Sequence, residues 1–232
     1  MLNVRILALL YGPYDRLHRR LLDSFRKAVP KDVPITLWLN QIERPTRDRL
    51  GEEPGRYDMI DSQDNVKKYV AMRAMMTRVN VPRPDWWVWF DDDGHIVSDD
   101  WWANMQEYIE QRKRENICYI GQAWFSHHLP GQWDFIQKST WFRGRPAEII
   151  KGKPGVWFAT GGYWWLRADV QAQLDWPDVR LGHNGGDTLL AEAIRQNGFL
   201  FHKFSHGVKV NDQTKRRGYN DAPAGAIVNP RR

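Results

Sequence analysis

Three adjacent carboxylates, Asp91-Asp92-Asp93, follow directly on the run Trp86-Trp87-Val88-Trp89-Phe90 and precede Gly94-His95-Ile96. Five apolar or aromatic residues in a row read as a short strand buried on both faces. Carboxylates this close repel one another unless a positive charge neutralises them. A hard divalent cation meets that need. It takes oxygen ligands, is held by one or two carboxylates, and keeps positions open for the pyrophosphate of a substrate. A solvated acidic turn is the alternative; the aromatic strand in front and Ile96-Val97 behind favour the metal.

The elements that would position the triplet follow from apolar spacing. Val4 to Leu10 reads as a buried strand ending at Tyr11-Gly12-Pro13, and Leu17, Leu21, Leu22 and Phe25 then recur at helical spacing up to Pro30. Ile35 to Leu39 is a second strand, and Gln41 to Arg56 a polar loop or short helix. Tyr57 to Ile60 is a third strand, followed by a helix over Val66 to Val79. A helix from Asp100 to Arg112, with Trp102, Met105 and Ile109 inward, follows the tryptophan strand. Strands alternating with helices define an α/β protein of three layers, α/β/α, around a mainly parallel sheet, whose ligands bind at the carboxyl ends of the strands. Those ends carry Tyr11-Gly12, Asp61 and the Asp91–Asp93 run. The second half reads as less regular, with a Trp- and Gly-rich stretch from Gly131 to Trp165, then a helix from Asp187 to Gln196 and a strand over Phe199 to Phe204.

The 232 residues suffice for one sizeable core, and 42% hydrophobic with 27% charged residues is ordinary for a soluble globular domain. With no internal repeat or low-complexity linker, a single domain is expected. The lone Cys118 excludes an internal disulfide and reads as a small buried hydrophobe. Apolar runs too short to span a bilayer, and a first segment that reads as a strand, point to a cytoplasmic protein without a membrane partner. No G-x-G-x-x-G follows the first strand and no G-x-x-x-x-G-K-[ST] loop occurs, which excludes dinucleotide and P-loop folds. The net charge of +6 suits a polyanionic partner, and it gathers late: from Lys203 onward there are seven Lys or Arg against two Asp, Lys215-Arg216-Arg217 among them.

Four segments in order carry a family resemblance. They are Ile6 to Tyr11 leading into a helix at Asp15; Asn65-Val66-Lys67-Lys68 opening a helix that holds Arg73; Asp91-Asp92-Asp93, which matches a D-x-D motif; and Thr160-Gly161-Gly162-Tyr163-Trp164-Trp165 followed by Asn184-Gly185-Gly186-Asp187, then His202 and His206. This set resembles the nucleotide-sugar-dependent glycosyltransferases of the GT-A fold, over the chain from Val4 to about Asn211. The resemblance implies a nucleotide-sugar-binding half at 1–112 and an acceptor half with a basic tail at 113–232. It also implies a nucleoside diphosphate sugar donor, expected as a UDP-sugar, and a divalent metal, Mn2+ or Mg2+.

By that resemblance Asp93 is the direct metal ligand and His206 a third one, favoured over His202 because it lies past a strand beside Gly207. Asp91 contacts the ribose or a metal-bound water, and Asp92 either joins it or caps the turn. Tyr11 and Asn65 belong to the nucleotide pocket. Lys67, Lys68 and Arg73 are cations within reach of a diphosphate, or a solvated helix face. Gly161 and Gly162 let backbone approach the sugar or acceptor, or make an ordinary turn. Asp187 is the base for the acceptor hydroxyl in an inverting transfer, or else a helix N-cap.

Compact size, basic charge and the 13 tryptophans resemble more narrowly the phage-type DNA glycosyltransferases and base J glucosyltransferases. That implies a hydroxymethylated pyrimidine in DNA as acceptor, in a host cytoplasm if phage-encoded. An enzyme acting on a duplex base extrudes it, and aromatic side chains stack on exposed bases. Trp124, Trp133, Trp141 and Trp157 are the expected acceptor surface, with more than half of all tryptophans in the core. The rival acceptor is a bacterial glycan or lipid-linked sugar. Two further alternatives are a non-catalytic nucleic-acid or carbohydrate-binding module, which leaves the triplet without a role, and a phosphohydrolase, which leaves Gly161-Gly162 and Asp187 without one.

Overall fold

The computed structural model describes residues 2–128, 130–181 and 185–210. Along the first half run β1 (Val4–Tyr11), α1 (Asp15–Ala28), β2 (Ile35–Asn40), α2 (Arg44–Gly51), β3 (Tyr57–Ser62), α3 (Lys68–Met76), β4 (Trp86–Asp91), β5 (His95–Ile96) and α4 (Trp101–Gln111). The second half adds β6 (Ile117–His127), α5 (Pro130–Gln137), β7 (Glu148–Ile150), β8 (Lys153–Arg167), α6 (Ala168–Gln173), α7 (Gly186–Gln196), β9 (Leu200–Lys203) and β10 (Val208–Lys209).

Eight strands form one sheet in the order β3-β2-β1-β4-β8-β6-β9, with β7 beside β8, while β10 pairs with β5 apart from it. β1 to β4 are mutually parallel and β6 is parallel to β9; β8 runs against both β4 and β6. The sheet is therefore mainly parallel, with one central strand reversed. Its parallel register brings Tyr11, Asn40 and Asp91, the last residues of β1, β2 and β4, to the same edge.

Both faces are buried, which is why the strands read as unbroken apolar runs. Leu7, Leu9, Trp87 and Trp89 face one core with Tyr69, Met72 and Met75 of α3 and Leu189, Leu190 and Ile194 of α7. Ile6, Ala8, Leu10, Val88 and Phe90 face the other, with Leu21, Leu22 and Phe25 of α1 and Trp101 and Met105 of α4. Period-2 alternation along β1 and β4 thus sorts neighbouring residues into the two cores. The architecture is the expected three-layer α/β/α sandwich.

The second half is more regular than its composition suggested. Gly131 to Trp165 contains α5, β7 and nearly all of the 15-residue β8. The feature that disguised β8 is a bulge. Gly121 pairs with Trp164 but Ala123 with Ala159, so Thr160 to Tyr163 lie opposite Gln122 alone. The extra residues arch out of the ladder at the glycine pair. In α4 it is Trp101 and not Trp102 that is fully buried. Eight of the 13 tryptophans are buried, so the core is their main use. Among the described residues no helix is long and apolar enough to cross a membrane.

Candidate active site

At the carboxyl edge of the sheet a chain of amides ties two strand ends to the segment entering α3. Asn40 donates to the Asn65 side-chain oxygen (3.2 Å) and the Val66 carbonyl (2.7 Å), and accepts from the Val66 N–H (3.0 Å). Asn65 in turn donates to the Tyr11 hydroxyl at 3.2 Å. This fixes the segment entering α3 against β1 and β2, and so brings Lys68, the first residue of α3, over the end of β4.

The Lys68 ammonium, buried, donates to Asp91 Oδ2 at 2.8 Å and to the Gly161 carbonyl at 3.2 Å. Asp91 Oδ1 accepts from the Trp89 indole N–H at 2.9 Å. Burial alone pulls Lys68 down, but the charges of Asp91 and Asp187, the Asp91 hydrogen bond and the charge of Asp93 overcome it and hold its pKa above the ordinary lysine value. Lys68 is thus the positive centre of a carboxylate group, and its contact is with Asp91 where the sequence pointed to a diphosphate.

Asp92 and Asp93 are 1% and 2% exposed. Asp92 turns into the protein, accepting the Tyr11 backbone N–H at 3.3 Å, with His18 Nε2 3.5 Å away. His18 is itself held by Thr46 at 3.0 Å. Asp92 therefore joins β4 to β1 and α1, which goes against its sharing the contacts of Asp91 and is nearer the alternative that it serves the turn. Asp93 lies toward the glycine pair: a Cβ on Gly162 would stand 3.6 Å from Asp93 Oδ1, and one on Gly94 2.6 Å from the Gly162 carbonyl.

Asp187 comes from the opposite direction. It is the second residue of α7, whose cap is Gly185 in the left-handed region (φ 82°), so the N-cap alternative for Asp187 fails. Its Oδ1 accepts from the Tyr69 hydroxyl at 2.7 Å. Its Oδ2 packs on Gly161, where a Cβ would stand 2.5 Å away, so only glycine fits there. Burial pushes the Asp187 carboxyl above the ordinary aspartate range; Lys68 and the Tyr69 hydrogen bond draw it back in part, and Asp91 adds to the rise. A half-buried carboxylate with a raised pKa, beside a cation at the carboxyl edge of the sheet, is a better proton acceptor than an ordinary aspartate.

Three expected residues fall elsewhere. Arg73 donates to the carbonyls of Asp175 and Pro177, both at 3.0 Å, and to the Asp175 carboxylate at 2.7 Å, so it anchors that turn where a diphosphate contact was expected. His206 lies 3.4 Å from Asp100 at the start of α4. Among the described residues no group of three or more His, Cys, Asp or Glu is placed to hold a metal ion, and the partner His206 has is Asp100. His202 meets the Tyr108 hydroxyl at 3.0 Å. Asn184 and the Lys215-Arg216-Arg217 cluster lie outside the described residues.

Of the four acceptor tryptophans, Trp141 is 3% exposed and Trp133 packs on the core, which corrects their assignment. Trp124 and Trp157 are 43% and 44% exposed, on the part of the β6–β8 ladder beyond the bulge. Trp157 meets Phe125 edge to face at 5.4 Å, and Lys151 sits 4.1 Å above the Phe125 ring. Sequence reasoning missed Tyr69, Asn40 and Trp89. Asn40 carried a signal, a polar residue closing an apolar strand; Tyr69 carried none beyond adjacency to Lys68.

Several solved structures share this fold. A mannosyltransferase from Pyrobaculum calidifontis, in complex with GDP-Man and Mn2+, superposes with a TM-score of 0.60 at 12% identity, over 88% of this chain and 55% of that one. GalNAc-T7 with UDP, GalNAc and Mn2+ gives 0.58 at 13% identity, over 91% and 45%. S. aureus TarS gives 0.58 at 10% identity, over 88% and 35%. The likeness shows the fold, the GT-A type that the sequence resemblance implied, and the chain spans about half or less of these three proteins' length. No protein-family profile and no curated protein matches the chain.

Proposed function

We propose that the protein transfers a sugar from a nucleoside diphosphate sugar to a hydroxyl acceptor, with inversion at the anomeric carbon and with a divalent metal. The observation that carries this is the convergence of Asp91, Asp93 and Asp187 on Lys68 at the carboxyl edge of a GT-A sheet. A strand-end pair of carboxylates and a separate carboxylate with a raised pKa are the two parts such a reaction needs.

The donor set fits a small hard cation. Asp93 would hold it directly, with Asp91 at the ribose or a metal-bound water, and diphosphate and water would complete its shell, as is usual for ions bound by one or two carboxylates. When bound, such an ion neutralises charge developing on the leaving diphosphate. The remaining work belongs to the chain. Residues 1–112 hold the donor, with Tyr11 and Asn65 at the nucleotide, and from the second half the Gly162 backbone comes close to the sugar. Asp187 takes the proton of the acceptor hydroxyl as that oxygen bonds to the anomeric carbon from one side. The nucleoside diphosphate leaves from the other with the electrons of the broken C–O bond. Lys68 keeps Asp91 turned to the edge and lowers the cost of three carboxylates in one place.

Residues 113–232 supply the acceptor side. The acceptor we assign is a hydroxymethylated pyrimidine in DNA; its supports are the net charge of +6 and the exposed Trp124 and Trp157. The test incubates the protein and Mn2+ or Mg2+ with UDP-hexoses and GDP-mannose, against hydroxymethylated DNA, plain DNA and bacterial glycans. Sugar on hydroxymethylated DNA alone is expected. Transfer to a glycan alone replaces the acceptor, and no transfer or donor hydrolysis under any combination refutes the enzyme.

A further inference from the structure

Tyr69 lies outside every role assigned above, yet its hydroxyl touches the base. The ring stands against Trp176 edge to face at 5.9 Å, and Gly186 lies so close that a Cβ there would overlap the phenol carbon bearing the hydroxyl. A ring wedged on both sides leaves its O–H one direction, and that direction is Asp187 Oδ1 at 2.7 Å. The other face of the carboxylate is closed by the Gly161 backbone. Asp187 is thus held from two sides, Oδ1 by the Tyr69 hydroxyl and Oδ2 against Gly161, the residue whose carbonyl binds Lys68, and its own backbone N–H also donates to the carboxylate.

We infer that Tyr69 is a positioning residue for the reaction, holding the Asp187 carboxylate in the orientation in which it takes the acceptor proton. The inference rests on the reading of Asp187 as base. Misplacing a reacting group by a fraction of an ångström costs rate, so a hydrogen bond that removes the rotational freedom of the carboxylate acts on turnover. The same bond favours the ionised carboxylate. Among the described residues the other charged or titratable groups facing Asp187 are Lys68 of α3, Asp91 of β4 and Tyr119 of β6. Of these only Lys68 also favours ionisation, so loss of the Tyr69 hydroxyl leaves burial and Asp91 less opposed. Burial and the charge of Asp187 push the Tyr69 phenol well above its ordinary value, so it stays protonated and donating.

The test compares wild type, Tyr69→Phe, Asp187→Asn and a chain with 3-fluorotyrosine at position 69. Release of nucleoside diphosphate is followed across pH from UDP-glucose, UDP-N-acetylglucosamine and GDP-mannose with Mn2+, and Asp187 is titrated by carbon-13 NMR without substrate. Tyr69→Phe should lower kcat roughly ten- to hundredfold, the scale of one hydrogen bond to a charged group. Donor KM should stay within about twofold. The acid limb of the pH profile and the Asp187 titration should both move to higher pH. Fluorotyrosine, a stronger donor that preserves the packing, should move both to lower pH. If Asp187→Asn abolishes turnover while Tyr69→Phe and fluorotyrosine leave kcat and the acid limb unmoved, the positioning role is wrong and the base stands. A uniform loss at every pH with no displaced limb in either variant also overturns it, as a packing effect. Near-normal turnover of Asp187→Asn, or no nucleotide release from any donor by wild type, removes the base reading and this inference together.

Discussion

Asp187 packs on Gly161 so closely that its Oδ2 would stand 2.5 Å from a Cβ at that position. The contact joins two segments far apart in sequence, the bulge of β8 and the first turn of α7, and it aims a carboxylate at the edge where β4 ends.

Gly161→Ala is therefore expected to displace Asp187 rather than merely tighten the turn. Turnover should fall by at least tenfold, because a misplaced base loses near-attack geometry. Nucleoside diphosphate binding should persist, since the donor half is untouched. Calorimetric titration with UDP and GDP beside a turnover assay checks this; normal turnover would mean that the backbone relaxes at no catalytic cost.

Lys68→Met should destabilise the fold, because it leaves Asp91 and its neighbouring carboxylates without their counter-charge. Breaking a buried pair from one side costs about 3–5 kcal/mol. The deficit should shrink at acid pH, where Asp187, its pKa raised by burial, is protonated and needs no counter-charge from Lys68. Urea unfolding at pH 7 and pH 4 measures both. An equal loss at the two pH values would assign the effect to packing alone.

Asp187 should oppose stability at neutral pH. Its folded pKa is raised, so the native state binds more protons than the unfolded chain between the ordinary aspartate value and the folded one. Its contribution is therefore full below the ordinary value and lost as pH rises through the folded pKa. Asp187→Asn, which can still accept from Tyr69, is expected to raise Tm at pH 7 and leave it unchanged near pH 3. The same variant should lose at least a hundredfold in turnover. A lower Tm at pH 7 would contradict the burial argument.

Asp93→Ala should abolish transfer without unfolding the chain, and a chelator should silence wild type reversibly on re-addition of Mn2+. Circular dichroism and nucleotide release are the two measurements. Undiminished release in excess chelator would take the metal out of the proposed reaction.

Trp157→Ala should raise acceptor KM by roughly tenfold or more, the scale of one lost stacking contact, with donor KM unchanged. For a DNA acceptor that KM should also climb steeply with salt, because each cation on a phosphate releases counterions. A flat salt series would favour an uncharged glycan.

Much of the architecture was legible without coordinates. β1 and β4 declare themselves as apolar runs because both faces of the sheet are buried, and α1 declares itself through the period of Leu17, Leu21, Leu22 and Phe25. The order of the short motifs pointed to the carboxyl edge of the sheet, where Asp91, Lys68 and Gly161 meet. Tertiary structure alone decided which neighbour each side chain takes. The identity of Asp92 is the same as that of Asp91 and Asp93, yet strand alternation and the turn send it inward to Tyr11 and His18. Arg73 and Lys68 share a helix, but helical rotation sends one to the Asp175–Pro177 turn and the other into the carboxylates. Tyr69 reads as a core aromatic until Gly186, more than a hundred residues away, lets its hydroxyl reach Asp187. Such long-range contacts leave no period in the chain, because they depend on how two elements dock and on which position lacks a side chain.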